Sequence, residues 1–136
     1  MTNHASFSEV CVLLVEDNKI NQMLVKKMIE NLGCQVWVAN SGFEALQLLE
    51  ANTPDLILTD IQMPDMNGME LAIKIKNHSD TKIATIPILA LTGYAGEDEK
   101  NATLSSGILD ILIKPFGQEE LRTAISQTLG ISPNRP

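Results

Sequence analysis

The stretch Leu56-Ile57-Leu58-Thr59-Asp60-Ile61-Gln62-Met63-Pro64 decides how this chain is read. A β-prone apolar run enters a single carboxylate. Four residues later a proline, with no N–H to donate, keeps the extended segment from continuing. A strand that ends in an acid and meets a proline-stiffened loop presents that acid at the rim of a sheet. Asp60 is therefore the candidate reacting group, and its meaning depends on what the remaining elements bring beside it.

Upstream, Val10 to Val15 is an unbroken apolar run stopped by Glu16-Asp17-Asn18. Without alternation it suits a strand buried on both faces of a parallel sheet. From Asn18 the period changes. Ile20, Leu24, Met28 and Leu32, with Met23 and Ile29 beside them, recur every three or four residues and predict an amphipathic helix with this stripe as its core face, stopped by Gly33. Gln35 to Ala39 is a second short strand. Ser41-Gly42-Phe43-Glu44 has the form of a capping box and opens a helix carrying Ala45, Leu48 and Leu49, which Asn52-Thr53-Pro54 ends.

Downstream, Met66-Asn67-Gly68 leads into a third helix reaching about Asn77, with Met69, Leu71, Ala72, Ile73 and Ile75 as its apolar residues. Ile86 to Leu91 is a fourth strand that tolerates Pro87 near its start. Gly96 to Ser106 predicts a weak helix anchored only by Ala102 and Leu104, and loose docking is expected of it. Ile108 to Ile113 is the fifth strand, and a last helix from about Gln118 buries Leu121, Ala124, Ile125, Thr128 and Leu129. Five strands alternating with five helices predict right-handed βαβ units. The expected fold is α/β and flavodoxin-like, a (βα)5 unit whose five-stranded parallel sheet has the order 2-1-3-4-5 and helices on both faces. Residues 10–130 form the single domain, with residues 1–9 and 131–136 as tails.

Composition narrows the function. The chain has 136 residues, 44% of them hydrophobic, which suits one domain with a real core. A net charge of −7 argues against binding of a nucleic-acid backbone by this domain, since that needs clustered basic residues. No apolar run approaches the length of a membrane span, and Met1 to Glu9 lacks the regions of a signal peptide. Cys11 and Cys34 fit no metal spacing and read as buried free thiols of a reducing compartment. The expectation is a cytoplasmic domain with no direct membrane contact, although a parent chain could be membrane-anchored. His4 and His78 read as solvated, without partners.

All strands of a parallel sheet end on one edge, where open α/β sheets bind ligands. Glu16-Asp17 end the first strand, Asp60 the third, Thr92 the fourth and Lys114-Pro115 the fifth. Each alone could be a turn acid, a strand-end hydroxyl or a surface charge. Four strand ends carrying such groups together point to a site. Three carboxylates crowded there repel one another and need cations to stay ionised. Lys114 supplies one positive charge, and a divalent ion would balance the rest. With oxygen ligands and no histidine or thiolate, a hard ion such as Mg2+ is favoured over zinc. Mg2+ beside a lysine and a hydroxyl is equipment for phosphoryl transfer.

Val15-Glu16-Asp17-Asn18, Asn21-Gln22, Leu32-Gly33, Glu44-Ala45-Leu46, Asp55 to Asp60, Gln62-Met63-Pro64, Gly68, Ala90-Leu91-Thr92 and Lys114-Pro115-Phe116 together resemble a response-regulator receiver domain over about residues 10 to 130. The receivers of hybrid histidine kinases are the most similar. The resemblance implies that Asp60 takes a phosphoryl group from a phosphohistidine, donated by a histidine kinase or a histidine phosphotransfer domain. It implies that Asp17, Asp60 and the carbonyl of Gln62 bind Mg2+ directly and Glu16 through water. Lys114 would pair with phosphoryl oxygens, and Thr92 would donate its hydroxyl and report the modification to the far surface. Such a domain catalyses its own phosphorylation and dephosphorylation without being a stand-alone metabolic enzyme. The resemblance further implies a cis Lys114-Pro115 bond and a role for Gln62 and Tyr94 in admitting hydrolytic water. It leaves the oligomeric state open.

Three positions depart from the family pattern. Ile111 replaces an aromatic residue or histidine that couples to the threonine, Gly93 stands where alanine is common, and Asn67 replaces an aspartate. Two other functions use a similar fold. A haloacid-dehalogenase-type phosphatase needs a second acid two residues past the nucleophile, where this chain has Gln62. A phosphorylation-independent interaction module would usually have lost an acid or the lysine, and here all are present.

Overall fold

The computed structural model describes residues 6–93 and 96–131. Five strands, β1 (Cys11–Val15), β2 (Gln35–Ala39), β3 (Leu56–Asp60), β4 (Ile88–Thr92) and β5 (Asp110–Ile113), form one parallel sheet in the order β2-β1-β3-β4-β5. Register is continuous across it. Val12 pairs with both Val36 and Leu56, and Asp60 pairs with Leu91. The connecting helices are α1 (Lys19–Asn31), α2 (Gly42–Ala51), α3 (Gly68–Lys76), α4 (Thr81–Ala84), α5 (Glu97–Ser105) and α6 (Gln118–Leu129). The flavodoxin-like order expected from the alternation is the one observed.

Because side chains alternate across a strand, each strand feeds two cores. Leu13, Val15, Ile57, Ile88 and Ala90 point to one face and pack with Ala45 and Leu49 of α2 and Leu71, Ala72 and Ile75 of α3. Val12, Leu14, Leu56, Leu58, Leu89 and Leu91 point to the other and pack with Val25 and Ile29 of α1 and Leu121 and Ile125 of α6. Every residue of β3 is buried, as its uninterrupted apolar run predicts for a central strand.

Several expectations are corrected. The stripe assigned to the core face of α1 holds only in its second half, where Met28, Ile29 and Leu32 pack against the core; in the first half Ile20 (77%), Met23 (73%) and Leu24 (60%) are exposed, and Gln22 and Val25 face inward in their place. A sixth helix, the single turn α4, lies between α3 and β4 and is capped by Asp80, whose side chain accepts from the N–H of Lys82. In α5 the anchors are Thr103 and the adjoining Ser106, while Ala102 and Leu104 are exposed. His78 has a partner, since its Nε2 lies 2.5 Å from Oε2 of Glu50 and ties the end of α3 to α2. Phe7, expected in a tail, forms a 3-10 turn and is fully buried in the α1/α6 core beneath the Arg122 guanidinium, and Ile131 is also buried. Met1 to Ala5, with His4, and Ser132 to Pro136 lie outside the described residues.

Other local signals read as expected. The Ser41 hydroxyl accepts from the N–H of Glu44, although Glu44 reaches back to Asn40 and not to Ser41. Asn67 and Glu70 form a reciprocal capping box at α3. Gly33 has φ of +102°, the left-handed turn that ends α1. The Lys114-Pro115 peptide is cis. Cys11 and Cys34 are free, half-buried and buried, and burial pushes each thiol up to about 11. Gly68 closes the loop after β3 by donating to the Ile61 carbonyl at 2.8 Å, and a Cβ there would sit 2.5 Å from the backbone oxygen of Asp60.

Two outcomes follow from this packing. Gly68→Ala must push α3 away from the end of β3, and urea denaturation should show a loss of about 1 to 3 kcal/mol. The amides of α5, which buries Thr103 alone, should exchange with solvent faster in hydrogen-exchange measurements than those of α1 and α6, which bury three side chains each. Equal protection in the three helices would contradict loose docking of α5.

Candidate functional site

The common C-terminal edge of the sheet holds a cleft of about 410 Å³ lined by Glu16, Asp17, Asn18, Asn21, Asp60, Gln62, Thr92, Gly93 and Lys114. All the residues singled out as catalytic or metal-binding from sequence meet there. Only Tyr94, named as a tuning residue, lies outside the described residues. The pairing of Asp60 with Leu91 puts the acid at the last rung between β3 and β4, one residue before Thr92 on the neighbouring strand.

One oxygen from each of Glu16, Asp17 and Asp60 lies within 4.8 Å of the others. Their surroundings differ. Glu16 is fully buried, Asp60 is buried at the cleft floor and Asp17 is exposed. Lys114 Nζ sits between two of the acids, 3.3 Å from Oε1 of Glu16 and 3.5 Å from Oδ1 of Asp60. Burial, above all, holds the Glu16 carboxyl above its ordinary range. The Asn18 N–H, 3.2 Å from Oε2, pulls it down; the negative charge of Asp60 raises it further, and the Lys114 ammonium lowers it. At Glu16 repulsion from Asp60 is therefore a smaller effect than desolvation.

The local sequence explains each placement. The N–H of Glu16 continues the sheet by donating to Ala39 at 3.1 Å, so its side chain turns inward under the cleft. Asn18 then caps α1 by accepting from the N–H of Asn21. Asp60 is held by β3 on its N-terminal side, and on the other the N–H of Ile61 donates to Leu91 at 3.1 Å. Lys114 arrives because its own N–H donates to the Thr92 carbonyl at 2.7 Å, extending β5 by one rung. Ile111 is partly buried against the α2/α3 core, one side of the sheet from the Leu112 contact with the other core.

Two contributors were not assigned roles from sequence. Gln22 and Asn40 join behind Glu16, with the Gln22 amide donating to the Glu16 carbonyl at 2.5 Å and to Oδ1 of Asn40 at 2.6 Å. The signal available for Gln22 was a polar residue three before Val25 and seven before Ile29, in phase with the true core face.

A second cavity of about 750 Å³ adjoins the cleft between the β3–α3 loop and α5, and Gln62 and Thr92 line both. Among the described residues no helix is long and apolar enough to cross a membrane.

Known proteins share this arrangement. The profile of the response regulator receiver domain matches residues 12–126. The sensor histidine kinase GacS of Pseudomonas protegens is 34% identical over 122 residues, which is 89% of this chain and 13% of that kinase, so the chain spans a small part of such relatives. The polar-differentiation response regulator DivK of Brucella ovis is 34% identical over 119 residues, 88% of this chain and 95% of that protein. Among solved structures, the receiver domain of the sensor histidine kinase PA1611 from Pseudomonas aeruginosa PAO1, with a magnesium ion coordinated in its active-site cleft, aligns with a TM-score of 0.81. It is 31% identical, over 89% of this chain and 98% of that one. Sheet order, the clustered acids and the match along nearly the whole described chain agree, and the chain belongs to the response regulator receiver domain family.

Proposed function

We propose that the domain accepts a phosphoryl group from a phosphohistidine onto Asp60, in a Mg2+-dependent reaction, and passes the signal on by conformational change or onward transfer. The observation that carries this reading is the single cleft in which Asp60 lies beside two further acids, Lys114 and Thr92. A carboxylate oxygen of Asp60 attacks phosphorus, the P–N bond to the histidine breaks, and the ring nitrogen leaves with the electron pair and takes up a proton. Lys114, already 3.5 Å from Asp60, offsets charge on the transferred group, and Thr92 offers its hydroxyl from the adjoining strand.

The donor set fits a hard divalent ion, because every candidate ligand is an oxygen and the acids lie close enough to share one ion. Asp17, Asp60 and the Gln62 carbonyl would hold it directly and Glu16 through water. When bound, the ion neutralises the acids and draws charge from the phosphoryl oxygens. The magnesium in the PA1611 receiver supports this choice.

A histidine kinase or a histidine phosphotransfer domain is the proposed donor. The exposed Ile20, Met23 and Leu24 stand at i, i+3 and i+4 on one side of α1, and Asn21 beside them lines the cleft. An apolar stripe at the lip of a reactive cleft suits a helical partner that carries its histidine into reach.

Incubation with acetyl phosphate and Mg2+ followed by intact-mass measurement tests the reading. The wild-type chain should gain the mass of one phosphoryl group and Asp60→Asn should not. Lys114→Met should slow the gain by about a hundredfold. An unmodified wild type would overturn the proposal, and rapid turnover of a phosphomonoester would favour a phosphatase.

The charge balance makes a separate prediction for metal-free protein. Glu16 has a folded-state pKa raised above its unfolded value, so the carboxyl favours the folded state below the unfolded pKa, and that contribution is lost as pH rises through the folded value. In EDTA at neutral pH, Glu16→Gln should therefore be more stable than wild type. The difference should shrink as the pH falls into the carboxylate range, and urea titrations across pH measure it.

A further inference from the structure

We propose that Gln22 and Asn40 are positioning residues that fix the Glu16–Asp17 peptide and so aim Asp17 at the metal, an inference that rests on the Mg2+ site proposed above. Asp17 is exposed, so no packing around its own carboxylate sets its direction. Its direction must come from the backbone. The carbonyl of Glu16 belongs to the same peptide plane as the N–H of Asp17, and rotation of that plane swings Asp17 out of the cleft.

That carbonyl is held from behind. Gln22 is a buried side chain on α1, and one N–H of its amide donates to the Glu16 carbonyl at 2.5 Å. The other donates to Oδ1 of Asn40 at 2.6 Å. Asn40 is fixed in turn, since its backbone N–H and its Nδ2 each donate to Oε1 of Glu44 at 3.1 Å, while Lys19 Nζ donates to the same Oδ1. The strut therefore runs from the first turn of α2, through the end of β2 and α1, to the peptide that carries Asp17.

The inward turn of Gln22 also has a use that hydrophobic packing alone would not supply. The helix exposes Ile20, Met23 and Leu24 and directs an amide toward the sheet instead. A methionine of the same length would fill the space and could not donate.

Titration of MgCl2 into the whole chain, followed by calorimetry and by the Asp17 amide signal in NMR spectra, tests the strut. Gln22→Met should raise the Mg2+ dissociation constant roughly tenfold, as loss of a partner behind a metal ligand generally does. Asn40→Ala should raise it less, because the bond from Gln22 to Glu16 remains. Ile29→Val, which loosens the packing of the same helix without touching the strut, should leave Mg2+ affinity within twofold of wild type. The deficit of Gln22→Met in acetyl phosphate labelling should disappear at saturating Mg2+.

Gln22→Met and Asn40→Ala chains that are folded by circular dichroism and bind Mg2+ like wild type would overturn the strut and leave the site reading intact. A parallel loss of affinity in Ile29→Val would also overturn it, by reducing the effect to helix stability. A wild-type chain that binds no Mg2+ would overturn both readings.

Discussion

Crowded negative charge at one edge of the sheet is the constraint on which the site depends. Three carboxylates drawn from two strand ends have oxygens within 4.8 Å of one another, and one ammonium faces two of them. Charges of one sign at such distances are tolerated in a protein only with a cation, hydrogen bonds or a proton to offset them. The first two are visible around Glu16 as the Lys114 ammonium and the Asn18 N–H, while burial holds its carboxyl above the ordinary range. An assembly so arranged has a standing affinity for positive charge, and its chemistry follows from what satisfies that affinity.

The sheet makes the crowding possible without making the fold fragile. Alternation along each strand divides the apolar residues between two cores, so β3 is gripped on both faces before its last residue reaches the edge. Asp60 thus ends a rigid element and does not ride on a loop. Gly68 adds a local condition, because only a residue without a Cβ lets the start of α3 close against the carbonyl of Asp60. Precision at the reacting atom comes from ordinary packing one layer below it.

The parts of this architecture that were legible in the sequence are those with a strong single cause. An unbroken apolar run stopped by an acid identifies a central parallel strand and its end, and β1 and β3 carry that signature, while in β4 the run ends in Thr92. The convergence of Glu16, Asp17, Asp60, Thr92 and Lys114 follows once all strands share a direction. The first half of the α1 face was illegible because apolar periodicity presumes that buried means apolar. Here a buried amide, Gln22, occupies an inward position to satisfy a backbone carbonyl, and three large apolar residues are left outside. The α5 anchors were missed for a related reason: Thr103 buries its hydroxyl by bonding the Glu99 carbonyl of its own helix, so a polar residue does the packing. Phe7 was separated from the strand signal by polar residues, and its burial depends on partners from α6 that lie more than a hundred positions away.

The contact between Lys114 and Glu16 joins residues 98 apart in sequence. Neither the first half of the domain nor the second contains a complete acceptor. A chain still emerging from the ribosome carries Glu16 and Asp60 long before the lysine that sits between them, and a chain opened at β5 loses that lysine first. Competence for the reaction is thus a property of the finished domain, which makes the modification itself a report that folding is complete.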